Sequence, residues 1–63
     1  MTMLERAIAH MAAHPGEIFN LDQLRRAAGV SIRSQSRLSL QLQADRRVYY
    51  EGFNRYLFIG GRP

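Results

Sequence analysis

The chain has 63 residues, no cysteine, and nine basic side chains, all arginine, against five acids, for a net charge of +4. That length makes one small domain, able to bury only about 60% of the surface its unfolded chain exposes, and without cysteine neither a disulfide framework nor a thiolate metal site is open to it. At 46% hydrophobic residues the composition is globular; no apolar run approaches the roughly 20 residues of a membrane span, and the start MTMLERAIAH lacks a basic leader and apolar stretch, so a soluble cytoplasmic protein is expected.

Thr2-Met3-Leu4-Glu5 opens the chain with the T-x-x-E form in which hydroxyl and carboxylate each satisfy a free backbone N–H at a helix start. Leu4, Ala7, Ile8 and Met11 follow at helical spacing, and Pro15-Gly16 ends the element. A short extended piece, Glu17-Ile18-Phe19, leads to a second cap at Asn20, with Gln23 three residues on. Leu21, Leu24 and Ala28 are the expected buried face of this short helix, and Gly29 is suited to the positive φ just past its end.

The next stretch, VSIRSQSRLSLQLQADRR over residues 30–47, supports two readings. Leu38, Leu40 and Leu42 alternate, as on one face of a strand. As a helix, Leu38 and Leu42 share a face near Gln35 and Ser39, and Leu40 falls on the other side with Arg33, Ser36 and Arg37. Residues 33–44 contain good helix formers, no β-branched or aromatic residue and no turn signal, and Ser31 is a good N-cap. The helix is therefore preferred over residues 32–44. Beyond it, RRVYYEGFNRYLFIGG carries two β-rich runs, Val48 to Glu51 and Arg55 to Ile59, around Gly52-Phe53-Asn54, which predicts a hairpin. Residues 60–63 read as a frayed tail.

The order helix, short strand, helix, turn, helix, hairpin makes the whole chain resemble a winged helix-turn-helix domain. The resemblance is carried by LDQLRRAAGVS, similar to the family's Leu-x-x-Leu followed by Gly-Val-Ser, and by LQADRRVYYEGFNRYLFI, which looks like a recognition helix running into a wing. It spans residues 3–59 and implies an α+β fold of three helices plus a C-terminal two-stranded hairpin wing, in one domain over residues 1–63. It also implies a third helix in the DNA major groove and a wing along the backbone or minor groove. The chain departs from the family pattern at Arg25, where many members have a small Ala, and at Gln35, where they have a β-branched core residue.

Charge placement agrees with a basic second half, since residues 1–30 hold three arginines and three acids while residues 31–63 hold six arginines and two acids. Arg33, Ser36 and Arg37 are candidate base-edge and phosphate contacts, because Arg reaches guanine bidentately; the alternative is a solvated face. Leu40 fits a thymine methyl or a protein partner. Arg46, Arg47 and Arg55 flank the hairpin with Asn54 at its tip, placed to straddle phosphates or enter a minor groove; the alternative is a charged edge that discourages strand pairing. Tyr49, Tyr50, Phe53, Tyr56 and Phe58 offer rings for stacking, of which about half must face inward by period-two spacing. His10 and His14, one helical turn apart and without a third ligand nearby, read as surface histidines.

No nucleophile, glycine-rich phosphate loop or carboxylate pair points to catalysis, and no cofactor or metal is expected. The expected function is double-stranded DNA binding by a small transcriptional regulator or a phage or plasmid accessory factor. One winged domain has a small footprint, so it is expected to act as a homodimer or within a larger protein complex. The alternative is a protein-interaction module of the same fold, docking through the wing aromatics and Leu40.

Overall fold

The computed structural model describes residues 1–60, and the expected tail beyond Gly60 lies outside them. Three helices, α1 (Met3–Ala12), α2 (Leu21–Ala28) and α3 (Gln35–Ala44), are combined with three short strands, β1 (Ile18–Phe19), β2 (Val48–Tyr50) and β3 (Tyr56–Phe58). A 3₁₀ turn, Ile32–Ser34, leads into α3. The fold is α+β, and the strands form one antiparallel sheet in the order β1-β3-β2.

Both helix-start signals form as expected. Glu5 N–H donates to Thr2 Oγ1 while Thr2 N–H donates to Glu5 Oε1, each at 3.1 Å. Gln23 N–H donates to Asn20 Oδ1 at 2.8 Å and Asn20 N–H to Gln23 Oε1 at 2.9 Å. Each reciprocal pair satisfies two donors that have no partner inside the helix. At the end of α2, Gly29 adopts φ +70° and its N–H reaches the Arg26 carbonyl at 3.0 Å. A Cβ there would be strained by the left-handed backbone alone.

A two-stranded wing is not what forms. The extended piece after α1 enters the sheet as β1, pairing Ile18 with Leu57 and Phe19 with Tyr56, while β2 pairs Val48 with Phe58 and Tyr50 with Tyr56. The third strand gives β3 a partner on each side, and an isolated two-stranded ribbon is only marginally stable in water. Two residues are too short to carry a periodic signal, and their partners lie far down the chain.

The core collects Ala7, Ile8 and Met11 from α1, Leu24 and Ala28 from α2, Leu38 and Leu42 from α3, and Phe19, Val48 and Tyr56 from the sheet. Leu4 and Leu21 are half-buried at its margin. The departure at Arg25 is accommodated by the side chain lying half-buried along the turn. Its Nη1 donates to the Val30 carbonyl at 3.0 Å and its Nη2 to Asp22 at 2.9 Å, so the guanidinium braces the passage from α2 toward α3. Gln35 is half-buried in the first turn of α3.

Candidate nucleic-acid interface

The entry to α3 differs from a side-chain-capped start. Ser31 is extended and its hydroxyl makes no cap hydrogen bond; instead Ser34 N–H donates to the Ser31 carbonyl at 3.0 Å. The tight 3₁₀ turn thus satisfies with backbone a donor that the hydroxyl was expected to take. Once inside the helix, the leucines separate by face. Leu38 and Leu42 are fully buried, whereas Leu40 is 69% exposed. Arg33, Ser36 and Arg37 are all exposed as well. At 100° per residue, Leu40 sits at the centre of the outer face, with Ser36 and Gln43 on one side and Arg37 on the other.

The arginines sort into two groups by what they touch. In the first half, Arg6 Nη1 lies 3.4 Å from the Ala28 carbonyl, and Arg25 and Arg26 converge on Asp22 at 2.9 and 3.0 Å. The bond from Arg25 and the charge of both guanidinium groups hold the Asp22 carboxyl below its ordinary range. In the second half, Arg47 grips Asp45 with two parallel bonds, Nε to Oδ1 at 2.9 Å and Nη2 to Oδ2 at 2.8 Å. These bonds and the Arg47 backbone N–H lower the Asp45 pKa. Arg55 lies 3.4 Å from Glu51 across the base of the turn. Among the described residues, Arg33, Arg37 and Arg46 alone among the arginines make neither an ion pair nor a side-chain hydrogen bond.

The hairpin is fastened to the helices at two points. Tyr56 OH and Ser39 Oγ are 2.8 Å apart, and Gln43 Nε2 donates to the same Ser39 oxygen at 2.9 Å. Ser39 borders the outer face of α3, so this bond joins that face to the first residue of β3. At the turn, Asn54 Oδ1 accepts the Leu21 N–H at 2.8 Å, capping α2 a second time. The Asn54 side chain therefore has a structural task in addition to the contact role expected of it, and Arg46 is the hairpin arginine with no competing partner.

Among the aromatics, Tyr56 is the buried one; Phe58 is half-buried against the core, Tyr50 lies against Tyr56 with ring centroids 4.9 Å apart, and Tyr49 and Phe53 face outward. The register also places Ile18, Leu57 and Tyr49 in one row across all three strands, with Ile18 and Tyr49 each 50% exposed. His14 lies beyond the end of α1 rather than on it. The His10 and His14 rings, 5.3 Å apart, both pack edge-on against Phe19, inclined to it by 62° and 61°. Among the described residues no group of three or more His, Cys, Asp or Glu side chains is gathered as a metal site, and no helix is long and apolar enough to cross a membrane.

The structural roles of Asn54 and Tyr56 in fastening the hairpin were not legible from composition or spacing. Gly52 and Asn54 signalled a turn; nothing in the sequence signalled that Asn54 would reach α2. Compared with known proteins, the chain matches no family model, no curated protein and no solved structure.

Proposed function

We propose that the protein binds double-stranded DNA as a winged helix-turn-helix domain, with α3 in the major groove and the β2–β3 hairpin against the backbone or minor groove. The observation that carries this reading is the sorting of the arginines. Arg33 in the turn before α3, Arg37 on α3 and Arg46 just after it stand without partners, while every other arginine among the described residues is engaged. Exposed guanidinium groups left unpaired favour phosphate and can read guanine. Acting as a small transcriptional regulator or a phage or plasmid accessory factor, in the cytoplasm at DNA, it works as a homodimer or beside other proteins, since a single domain covers few base pairs.

A fluorescence titration with mixed-sequence duplex DNA at low and physiological salt tests this directly. Affinity is expected to fall linearly on a log–log plot, by about 0.9 in slope for each phosphate contacted. The row Ile18–Leu57–Tyr49, together with Leu40, favours a second reading: a protein-interaction module of the same fold. Docking of that kind buries apolar surface and is nearly indifferent to salt. Absence of duplex binding at low ionic strength would reject the first reading in favour of the second.

A further inference from the structure

We propose that Phe53 is an apolar wedge that inserts between adjacent base pairs from the minor groove of the bound duplex; this rests on the DNA-binding reading above. Phe53 is 96% exposed, the most exposed large apolar side chain among the described residues. Its backbone lies at φ +51°, between Gly52 at +86° and Asn54 at +63°. A left-handed backbone is an outlier for a bulky side chain, and a hairpin turn with two such central residues favours Asn and Gly at both. Gly52 and Asn54 suit their positions, and Phe53 does not. No packing of the ring in the free protein compensates the unfavourable backbone.

The apex is held rather than loose. Arg55 N–H donates to the Gly52 carbonyl at 3.1 Å, Glu51 N–H to the Arg55 carbonyl at 3.2 Å, and Leu21 N–H to Asn54 Oδ1 at 2.8 Å. Three residues beyond Phe53, Tyr56 is bonded to Ser39 beside the outer face of α3, so the ring stands out from the same fastened unit that carries the proposed base-reading helix. Its neighbours along the turn are Gly52 and Asn54, flanked by the exposed Glu51–Arg55 pair, and none of these is apolar. A protein-docking patch would gather apolar neighbours, as Ile18, Leu57 and Tyr49 do on the sheet. A single aromatic projecting among polar groups suits insertion into a base stack, where flanking amide and guanidinium groups meet sugar and phosphate edges and the duplex bends to accept the ring.

The test uses the full chain and a short duplex labelled at both ends, so that energy transfer reports bending while anisotropy reports affinity. Phe53→Asn and Phe53→Gly both fit the left-handed turn, and circular dichroism is expected to show them folded. Each should lose about tenfold in affinity and abolish the bend, with the salt slope unchanged because no phosphate contact is removed. Wild-type binding that leaves the duplex straight, or variants that bind and bend like wild type, would overturn the wedge while leaving the DNA reading intact. If wild type binds no duplex at low salt, both fall. Self-association lost in both variants, with DNA binding unaffected, would overturn it too and assign the ring to a protein contact.

Discussion

The two halves of this small domain use the same cation differently. Around α1 and α2, arginine is a structural residue: Arg25 spans the turn out of α2, Arg26 shares Asp22 with it, and Arg6 leans on the end of α2. Around α3 and the hairpin, three arginines are left without partners, and exposed apolar side chains, Leu40 and Phe53, stand where water would be better served by polar ones. Both halves bury their apolar stripes in one core, so the difference lies on the surface. In the first half every arginine touches the fold or a carboxylate, whereas the second half pairs Arg47 and Arg55 with carboxylates and leaves Arg33, Arg37 and Arg46 exposed and unpaired.

The largest expected effect separates the leucines of α3. Replacing Leu38 or Leu42 with Ala should cost about 2 to 5 kcal/mol, enough to unfold most molecules of so small a domain. Leu40→Ala should leave the urea midpoint nearly unchanged, because its side chain already faces solvent. Equal losses at all three positions would erase the distinction between a buried and an offered face.

Next in size is the fastening of the hairpin to the first half. Asn54→Gly keeps the left-handed backbone but removes the acceptor for Leu21 N–H, and a destabilisation of about 1 kcal/mol is expected in denaturant unfolding. Hydrogen exchange should quicken at Leu21 before it does in the centre of α3. No change at Leu21 would mean that the two regions are joined by packing alone.

These two cases mark what was legible in the sequence. Capping pairs three residues apart, the positive φ at Gly29 and the helical stripe of α1 are local, and residues near in sequence announce them. The α3 stretch was ambiguous because Leu40 alternates with its neighbours; only the packing of Leu38 and Leu42 against α1 and α2 distinguishes face from face. The β1–β3 pairing, the Asn54–Leu21 cap and the Tyr56–Ser39 bond all join distant segments, and no periodicity encodes them. Of the candidate site, the exposure of Arg33, Ser36, Arg37 and Leu40 followed from helix geometry. That Arg47 would be held by Asp45 and Arg55 by Glu51, leaving Arg46 without a partner, required the turn geometry as well.

A smaller effect follows from pH. Asp45 has its pKa lowered in the folded state by the bonds from Arg47. Its contribution to stability is therefore present above the unfolded-state value, about 3.9, and is lost as pH falls through the lower folded value. The thermal midpoint of the wild type should hold steady down to about pH 4 and decline below it, and Asp45→Asn should flatten part of that decline. The same variant releases Arg47. If charge availability governs DNA binding, Asp45→Asn should bind duplex more tightly than wild type at neutral pH.

The contrast between engaged and free arginines is tested most directly by the salt dependence of duplex affinity across single Arg→Ala variants. Arg46→Ala is expected to lower the slope by about one, and Arg33→Ala and Arg37→Ala to cost about 1 to 3 kcal/mol with relaxed preference at particular base pairs. Arg47→Ala and Arg55→Ala should have smaller effects, since each is already paired with a carboxylate, and Arg6→Ala and Arg26→Ala should leave affinity and slope where they were. A series in which Arg6 or Arg26 matters as much as Arg37, or in which none of Arg33, Arg37 and Arg46 matters, would contradict the division of the surface.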